Sequence, residues 1–435
     1  MKHLTTALLC LLVFSVSEAQ TKFRVRLEPQ IPREFPGLHS YAWAREGNKL
    51  LLMGGRLDGL HARQPFASFS KSNNNREIFL LDLSSMKLIR RSIMELPTNL
   101  AEQLQSSNMQ FFQEGDKLIL AGGYGYSELK KDHISFPNLT LVSVKGLILA
   151  LENGNAISAC FRQIEDQRMA VTGANLSKLK DHYYLVGGHR FDGRYNPHGP
   201  DHGPGYSQQY TEQIRIFRID SSKGELSISH YEAITDTSLL HRRDYNLVSQ
   251  YDGNGEEMLT VFSGVFRKDA DLPFTNLIDI KEGGYKELEG FSQEYSNYHC
   301  AHLPIYDSRD KKQYVIFFGG IAWNYRNREG KLQKDENIPF SSAISVVERD
   351  GNAVKEYLLD DLMPGYFGSA ASFIPGDEKQ FSSNGNLKWE FIGKQPLLAG
   401  YIIGGIDSQA PNVFWSNGNV SRASPVVWEV YISRE

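Results

Sequence analysis

Glu46-Gly47-Asn48-Lys49-Leu50-Leu51-Leu52-Met53-Gly54-Gly55 aligns without a gap with Glu114-Gly115-Asp116-Lys117-Leu118-Ile119-Leu120-Ala121-Gly122-Gly123. In both, a Gly-Asn or Gly-Asp turn leads into a short apolar run ending on a glycine doublet, the pattern of a hairpin's second strand. The run recurs as Tyr184-Leu185-Val186-Gly187-Gly188, Val315-Ile316-Phe317-Phe318-Gly319-Gly320 and Tyr401-Ile402-Ile403-Gly404-Gly405, with a weakened copy in Thr260-Val261-Phe262-Ser263-Gly264. Six copies of one supersecondary unit fix a repeat architecture before any single residue is discussed.

Working outward, a first strand precedes the turn at 40–44 and 108–112. Downstream, 77–85 matches 213–222 as an apolar strand, an Asp/Ser turn and a further strand. Each repeat therefore carries about four strands. The doublets end at Gly55, Gly123, Gly188, Gly264, Gly320 and Gly405, farther apart than the roughly 40–50 residues that four strands need, and the surplus reads as loops. Helix is expected only as single turns at 102–106 and 360–363.

The repeat resembles that of kelch-type β-propellers, in the galactose oxidase/kelch-like superfamily, which place a Gly-Gly doublet after the second strand of each blade. Pro36, His39 and Ser40 ahead of Gly54-Gly55 match the blade opening best. The resemblance implies an all-β, six-bladed propeller with approximate blades at 38–97, 105–165, 168–236, 242–291, 297–362 and 368–435. The sixth repeat stops one strand short. Near the start, Phe23, Val25 and Leu27 alternate with Arg24, Arg26 and Glu28, a half-buried strand with no blade of its own. The strand at 22–28 is expected to complete the last blade and seal the ring, hiding open edges. Two β-sandwich domains are the competing architecture, but they give no reason for glycine-ended strands.

Residues 1–19 read as an export signal, with Lys2, an apolar core from Leu8 to Val16 and the small-residue site Ser17-Glu18-Ala19. The product is expected to be secreted or periplasmic and of bacterial origin. No other segment is apolar enough to span a bilayer. A formal net charge of −4 without a basic stripe excludes a nucleic-acid footprint. Beyond Cys10 in the leader, only Cys160 and Cys300 remain, expected as two buried thiols far apart. Asn138-Leu139-Thr140, Asn175-Leu176-Ser177 and Asn419-Val420-Ser421 match the glycosylation pattern.

On this resemblance, the loops after the doublets and the connections between blades share one face, the candidate site. They carry Arg56, Arg168, His189, Arg190, Arg243, His299, Trp323, Tyr325 and Arg326. Arginine forks suit carboxylates, and aromatic rings stack on sugars. Bracing of loops by Asp58, Asp192, Asp244 or Asp269 is the competing role for these arginines. His198, Asp201 and His202 have side chains able to bind a metal but lack a helix to align them. His299-Cys300-Ala301-His302 is split by strand alternation. No cofactor or metal is expected, and no nucleophile elbow or phosphate loop is present.

Two functions stay open. One is a monomeric module binding a protein or an anionic glycan. The other resembles the kelch sialic-acid mutarotases of the bacterial periplasm, with Arg168, Arg190 and Arg243 clamping the carboxylate and His189 or His299 shuttling the proton. Copper oxidation like that of galactose oxidase needs a cysteine–tyrosine cross-link that no sequence pattern here provides.

Overall fold

The computed structural model describes residues 22–61, 67–196, 203, 205–221, 224–326, 331–413 and 420–435. Six blades, each built on four antiparallel strands, make up the ring, and the sheets of blades 5 and 6 each gain a fifth strand. Blade 1 uses Ala42–Glu46, Lys49–Met53, Glu77–Asp82 and Lys87–Ser92. Blade 2 follows with Gln110–Glu114, Lys117–Ala121, Asn138–Ser143 and Phe161–Glu165. Asn175–Leu179, His182–Val186, Gln213–Asp220 and Ser227–Thr235 form blade 3. Blade 4 has Asn246–Tyr251, Glu257–Phe262, Leu277–Lys281 and Gly284–Glu287. Blade 5 contains His302–Asp307, Lys312–Phe318, Ala343–Asp350 and Ala353–Leu362. Blade 6 takes Tyr366–Pro375, Leu397–Ser408 and Val427–Arg434 from the end of the chain, and its outer strand, Phe23–Gln30, from the start. That closing strand pairs antiparallel from Phe23 opposite Arg434 to Gln30 opposite Val427.

Strands buried on both faces explain the continuous apolar runs. Leu51 and Met53 pack toward blade 2, whereas Leu50 and Leu52 pack toward blade 6, and the same alternation places one apolar core at each of the six junctions. The N-terminal strand joins the core between blades 5 and 6 through Phe23 and Val25.

The doublets stitch neighbouring blades together. The amide of the second glycine donates to a carbonyl at the entry of the next blade: Gly55 to Ser106, Gly123 to Val171, Gly188 to Arg242, Gly264 to Asn297, Gly320 to Phe367 and Gly405 to Leu38. The last of these crosses from blade 6 to blade 1, completing the circle. The first glycine is needed because its backbone lies against that same neighbouring entry. A Cβ on Gly404, at φ +66°, would overlap the Leu38 carbonyl oxygen. Ser263, in the first-glycine position of the weakened fourth doublet, adopts the same left-handed conformation at φ 56°.

Much of the surplus length forms strands rather than irregular loop. Hairpins Tyr124–Ser127/Asp132–Ser135, His189–Gly193/Tyr206–Tyr210 and Asn324–Arg326/Leu332–Lys334 follow three doublets, and Ser421–Ala423 pairs with the end of the long strand Leu397–Ser408. Helix is also more extensive than the sequence implied. Thr98–Leu104 is a seven-residue helix, and Val144–Glu152, unforeseen, packs its apolar side into the core between blades 1 and 2. Residues 360–362 instead end the strand Ala353–Leu362. Cys160 is half-buried rather than buried, while Cys300 is enclosed, and both are free thiols.

A further insert seals the far side of blades 4 and 5. Leu387–Lys388 pairs in parallel with Ile305 and Tyr306 of blade 5's inner strand. Asn386, fully buried, donates to the Ser249 carbonyl of blade 4 and accepts from Gln313.

Candidate functional site at the doublet face

The sequence selected nine residues for this face, and the structure separates them. Arg56 lies only 2 % exposed, with every nitrogen engaged: Nε and Nη2 reach the two Asp58 oxygens at 2.8 and 2.6 Å, and Nη1 donates to Asn74 at 2.9 Å. It is a loop brace. Arg168 grips Asp166 and lies 4.3 Å over the Tyr231 ring on the outer strand of blade 3, away from the mouth. Arg190 donates to Asp192 at 2.6 Å and to Gln167 at 3.2 Å. Each arginine of the expected clamp, Arg168, Arg190 and Arg243, is thus paired with an aspartate of its own loop.

Trp323, Tyr325 and Arg326 belong to the hairpin after the fifth doublet. The Trp323 ring faces Lys334 at 4.3 Å and packs on an apolar cluster formed by Ile321, Phe340, Ile406 and Val413. Tyr325 is exposed, and Arg326 lies beside Tyr295. His198, Asp201 and His202 fall outside the described residues. Among the described residues no group of three or more His, Cys, Asp or Glu is placed to hold a metal.

What does converge lies between blades 3 and 4. The third doublet delivers His189, and the return strand of its hairpin delivers Gln208 and Tyr210, with Glu212 just beyond. The entry into blade 4 adds His241, Arg243 and Asp244; Phe266 follows the fourth doublet, and Tyr298 and His299 come from the entry into blade 5. Arg243 Nη1 donates to Asp244 at 2.5 Å and Nε to the Tyr210 hydroxyl at 3.3 Å, while Phe266 lies 5.0 Å from the guanidinium. Nη2 has no hydrogen-bond partner among the described residues. The side chain is hemmed in by protein yet 20 % exposed.

Electrostatics separate the groups further. Burial alone would lower the Arg243 pKa, but Asp244, with Tyr210 and Tyr298, outweighs it and keeps the guanidinium firmly charged. Burial pushes His189 well below its usual range, and the charge of Arg243 adds to the effect. Burial also brings His299 down to about 4. Both imidazoles are thus neutral near pH 7. The His241 ring stacks on Tyr210 at 3.8 Å and shares a 2.7 Å hydrogen bond with Glu212, whose carboxylate also meets Lys268 at 2.8 Å. Burial would raise the Glu212 pKa, yet its bonds to Lys268 and His241 take it below the usual value.

Tyr210, Glu212 and His241 were not among the sequence candidates. Their only linear signal is His241 directly before the Arg242-Arg243 pair. Arg242 itself is fully buried, donating to the carbonyls of Leu239 and Ser263 and to the Asn276 side chain.

The arrangement defines a closed propeller in which the charge-fixed guanidinium of Arg243 keeps one nitrogen uncommitted among aromatic rings. No family model matches the chain, and no curated protein does. A solved structure titled "Structure of YjhT" aligns over 91 % of this chain and 97 % of its own, at 10 % identity and a TM-score of 0.47. So distant an alignment carries no argument about the site, and the six-bladed assignment is read from the chain's own sheets.

Proposed function

We propose that this chain is an exported, monomeric kelch-type propeller that binds an acidic ligand, an anionic glycan or a protein carboxylate, over Arg243. The observation that carries the reading is the uncommitted Nη2 of Arg243, flanked by Tyr210, Phe266 and Tyr298. A guanidinium already oriented by Asp244 and Tyr210 loses little freedom on meeting a carboxylate, and the rings offer faces for a sugar or a side chain. Among the described residues no helix is long and apolar enough to cross a membrane. An array of glycans and peptides tests the reading: acidic hits should dominate and weaken with salt. A hit set that is neutral or absent would refute it.

The His241–Glu212 pair favours a second reading, mutarotation of a sialic-acid-like sugar. Opening the ring requires a base at the anomeric hydroxyl and an acid at the ring oxygen. His299, with a pKa of about 4, is a weak base for that task, and burial handicaps His189 in the same way. His241, oriented by Glu212 beside Tyr210, is the better-placed group. Faster exchange between the anomeric NMR signals of sialic acid on adding protein supports this reaction, with loss of the effect in His241→Ala; unchanged exchange excludes it.

A further inference from the structure

A second recess opens where the ring closes. Between the loops of blades 1 and 6 lies a cavity of about 590 Å³, lined by Asp58, Asn73, Asp407, Gln409, Ser421 and Arg422 among others. That volume lies within the usual range of small-molecule sites. Its walls are joined across the closure: the Leu60 amide donates to Ser421 Oγ at 2.9 Å, and a Cβ on Gly59 would collide with Ser421.

The lining is polar but balanced in charge. Asp58 is neutralised by Arg56 and further held by Asn73 at 3.0 Å. Asp407 meets Arg422 at 3.1 Å across the strand pair. That bond occupies one carboxylate oxygen and the guanidinium Nε. The other oxygen of Asp407 and both terminal nitrogens of Arg422 have no hydrogen-bond partner among the described residues. Acceptors and donors therefore sit side by side with little net field. An anion would meet two carboxylates, and a cation would meet Arg422. A neutral hydroxyl suits both groups, since it donates one hydrogen bond and accepts others. Vicinal hydroxyls match an adjacent carboxylate and guanidinium pair in particular. Among the described lining residues there is no aromatic ring, and the contacts they offer a ligand are hydrogen bonds.

We infer that the cavity between the first and last blades is a binding site for a neutral polyhydroxylated ligand, a hexose unit, recognised by Asp407, Gln409 and Arg422. The site stands apart from the acidic-ligand reading at Arg243 and does not depend on it.

Saturation-transfer NMR of the full chain with D-glucose and D-galactose as probes tests the assignment. Wild-type protein should transfer saturation to at least one hexose. Asp407→Ala, which loses charged hydrogen bonds, should weaken the apparent affinity about tenfold or more. Arg422→Ala should act in the same direction, and because that side chain is 70 % exposed the variant should keep the wild-type melting temperature. Arg243→Ala should leave the hexose signal intact. Absence of transfer to either hexose overturns the inference, as does transfer that survives the Asp407→Ala/Gln409→Ala double change. Transfer to N-acetylneuraminate but not to the hexoses, lost in Asp407→Ala, overturns the neutral-sugar assignment.

Discussion

The rims of blades 1 and 4 each present an arginine to the same face, and they put it to opposite uses. At blade 1, Asp58 and Asn74 supply acceptors for Nε, Nη1 and Nη2, so Arg56 is saturated and buried. At blade 4, Asp244 and Tyr210 engage two nitrogens of Arg243 and leave the third without a hydrogen-bond partner among the described residues. The difference lies in the acceptors brought by neighbouring loops, not in the arginine. A guanidinium with a full set of acceptors braces, whereas one held by two points is oriented and still available.

Breaking each rim should separate stability from binding. Arg56→Ala strands Asp58 and is expected to cost on the order of 3–5 kcal/mol, as for a broken buried pair. It should appear as a lowered urea midpoint with little change in affinity for an acidic ligand at Arg243. A midpoint within error of wild type would place Arg56 outside the brace. Gly404→Ala attacks the closure that both rims share, because its Cβ overlaps the Leu38 carbonyl oxygen at a positive φ. A loss of roughly 1–3 kcal/mol is expected from the strained backbone, read in thermal unfolding. An unchanged melting temperature would contradict the tight junction between blades 6 and 1.

Acid should sharpen the contrast at blade 4. His189 and His299 near Arg243, with His302 on the inner strand of blade 5, have pKa values lowered by burial, the last two to about 4 from an ordinary 6.5. Below pH 6.5 the unfolded chain takes up protons that the fold refuses, so stability present above 6.5 is lost as pH falls toward 4. Glu356, raised to about 8 by burial, acts in the opposite direction, stabilising below its unfolded value and losing that contribution as pH rises through 8. These histidines, joined by His133, which burial also lowers, outnumber the one raised carboxylate and predict a net fall of the urea midpoint between pH 6.5 and 4.5. A flat profile would mean that the imidazoles are solvated. The smallest effect is expected from Arg168→Ala, whose exposed pair with Asp166 is worth at most about 1 kcal/mol. Unaltered ligand binding should accompany it; a loss of binding would return Arg168 to the mouth.

The ring was legible in the sequence because close backbone approach forces glycine. Gly54-Gly55, Gly122-Gly123 and their copies report where one blade leans on the next. The closing strand was visible too, since Phe23 and Val25 alternate with charges. The hairpins after the doublets were less so: Tyr206–Tyr210 is too short and polar to announce itself as a strand. The helix Val144–Glu152 was hidden by a nearly unbroken apolar run, Leu147-Ile148-Leu149-Ala150-Leu151, with little periodicity to favour helix over strand. At the site, Arg243 was readable as a charge, but its partners were not. Glu212 meets His241 across 29 residues of chain, a pairing set by how blade 3 hands over to blade 4. Arg56 and Arg168 looked equivalent to Arg243 because a sequence lists charges without their acceptors.

Titration calorimetry of the strongest acidic array ligand, run on wild type and Arg243→Ala with melting temperatures measured in parallel, tests the open guanidinium directly. Affinity at least about tenfold weaker in the variant, as for a lost charged hydrogen bond, with folding preserved, is the predicted result. Equal affinity in a folded Arg243→Ala protein would contradict it.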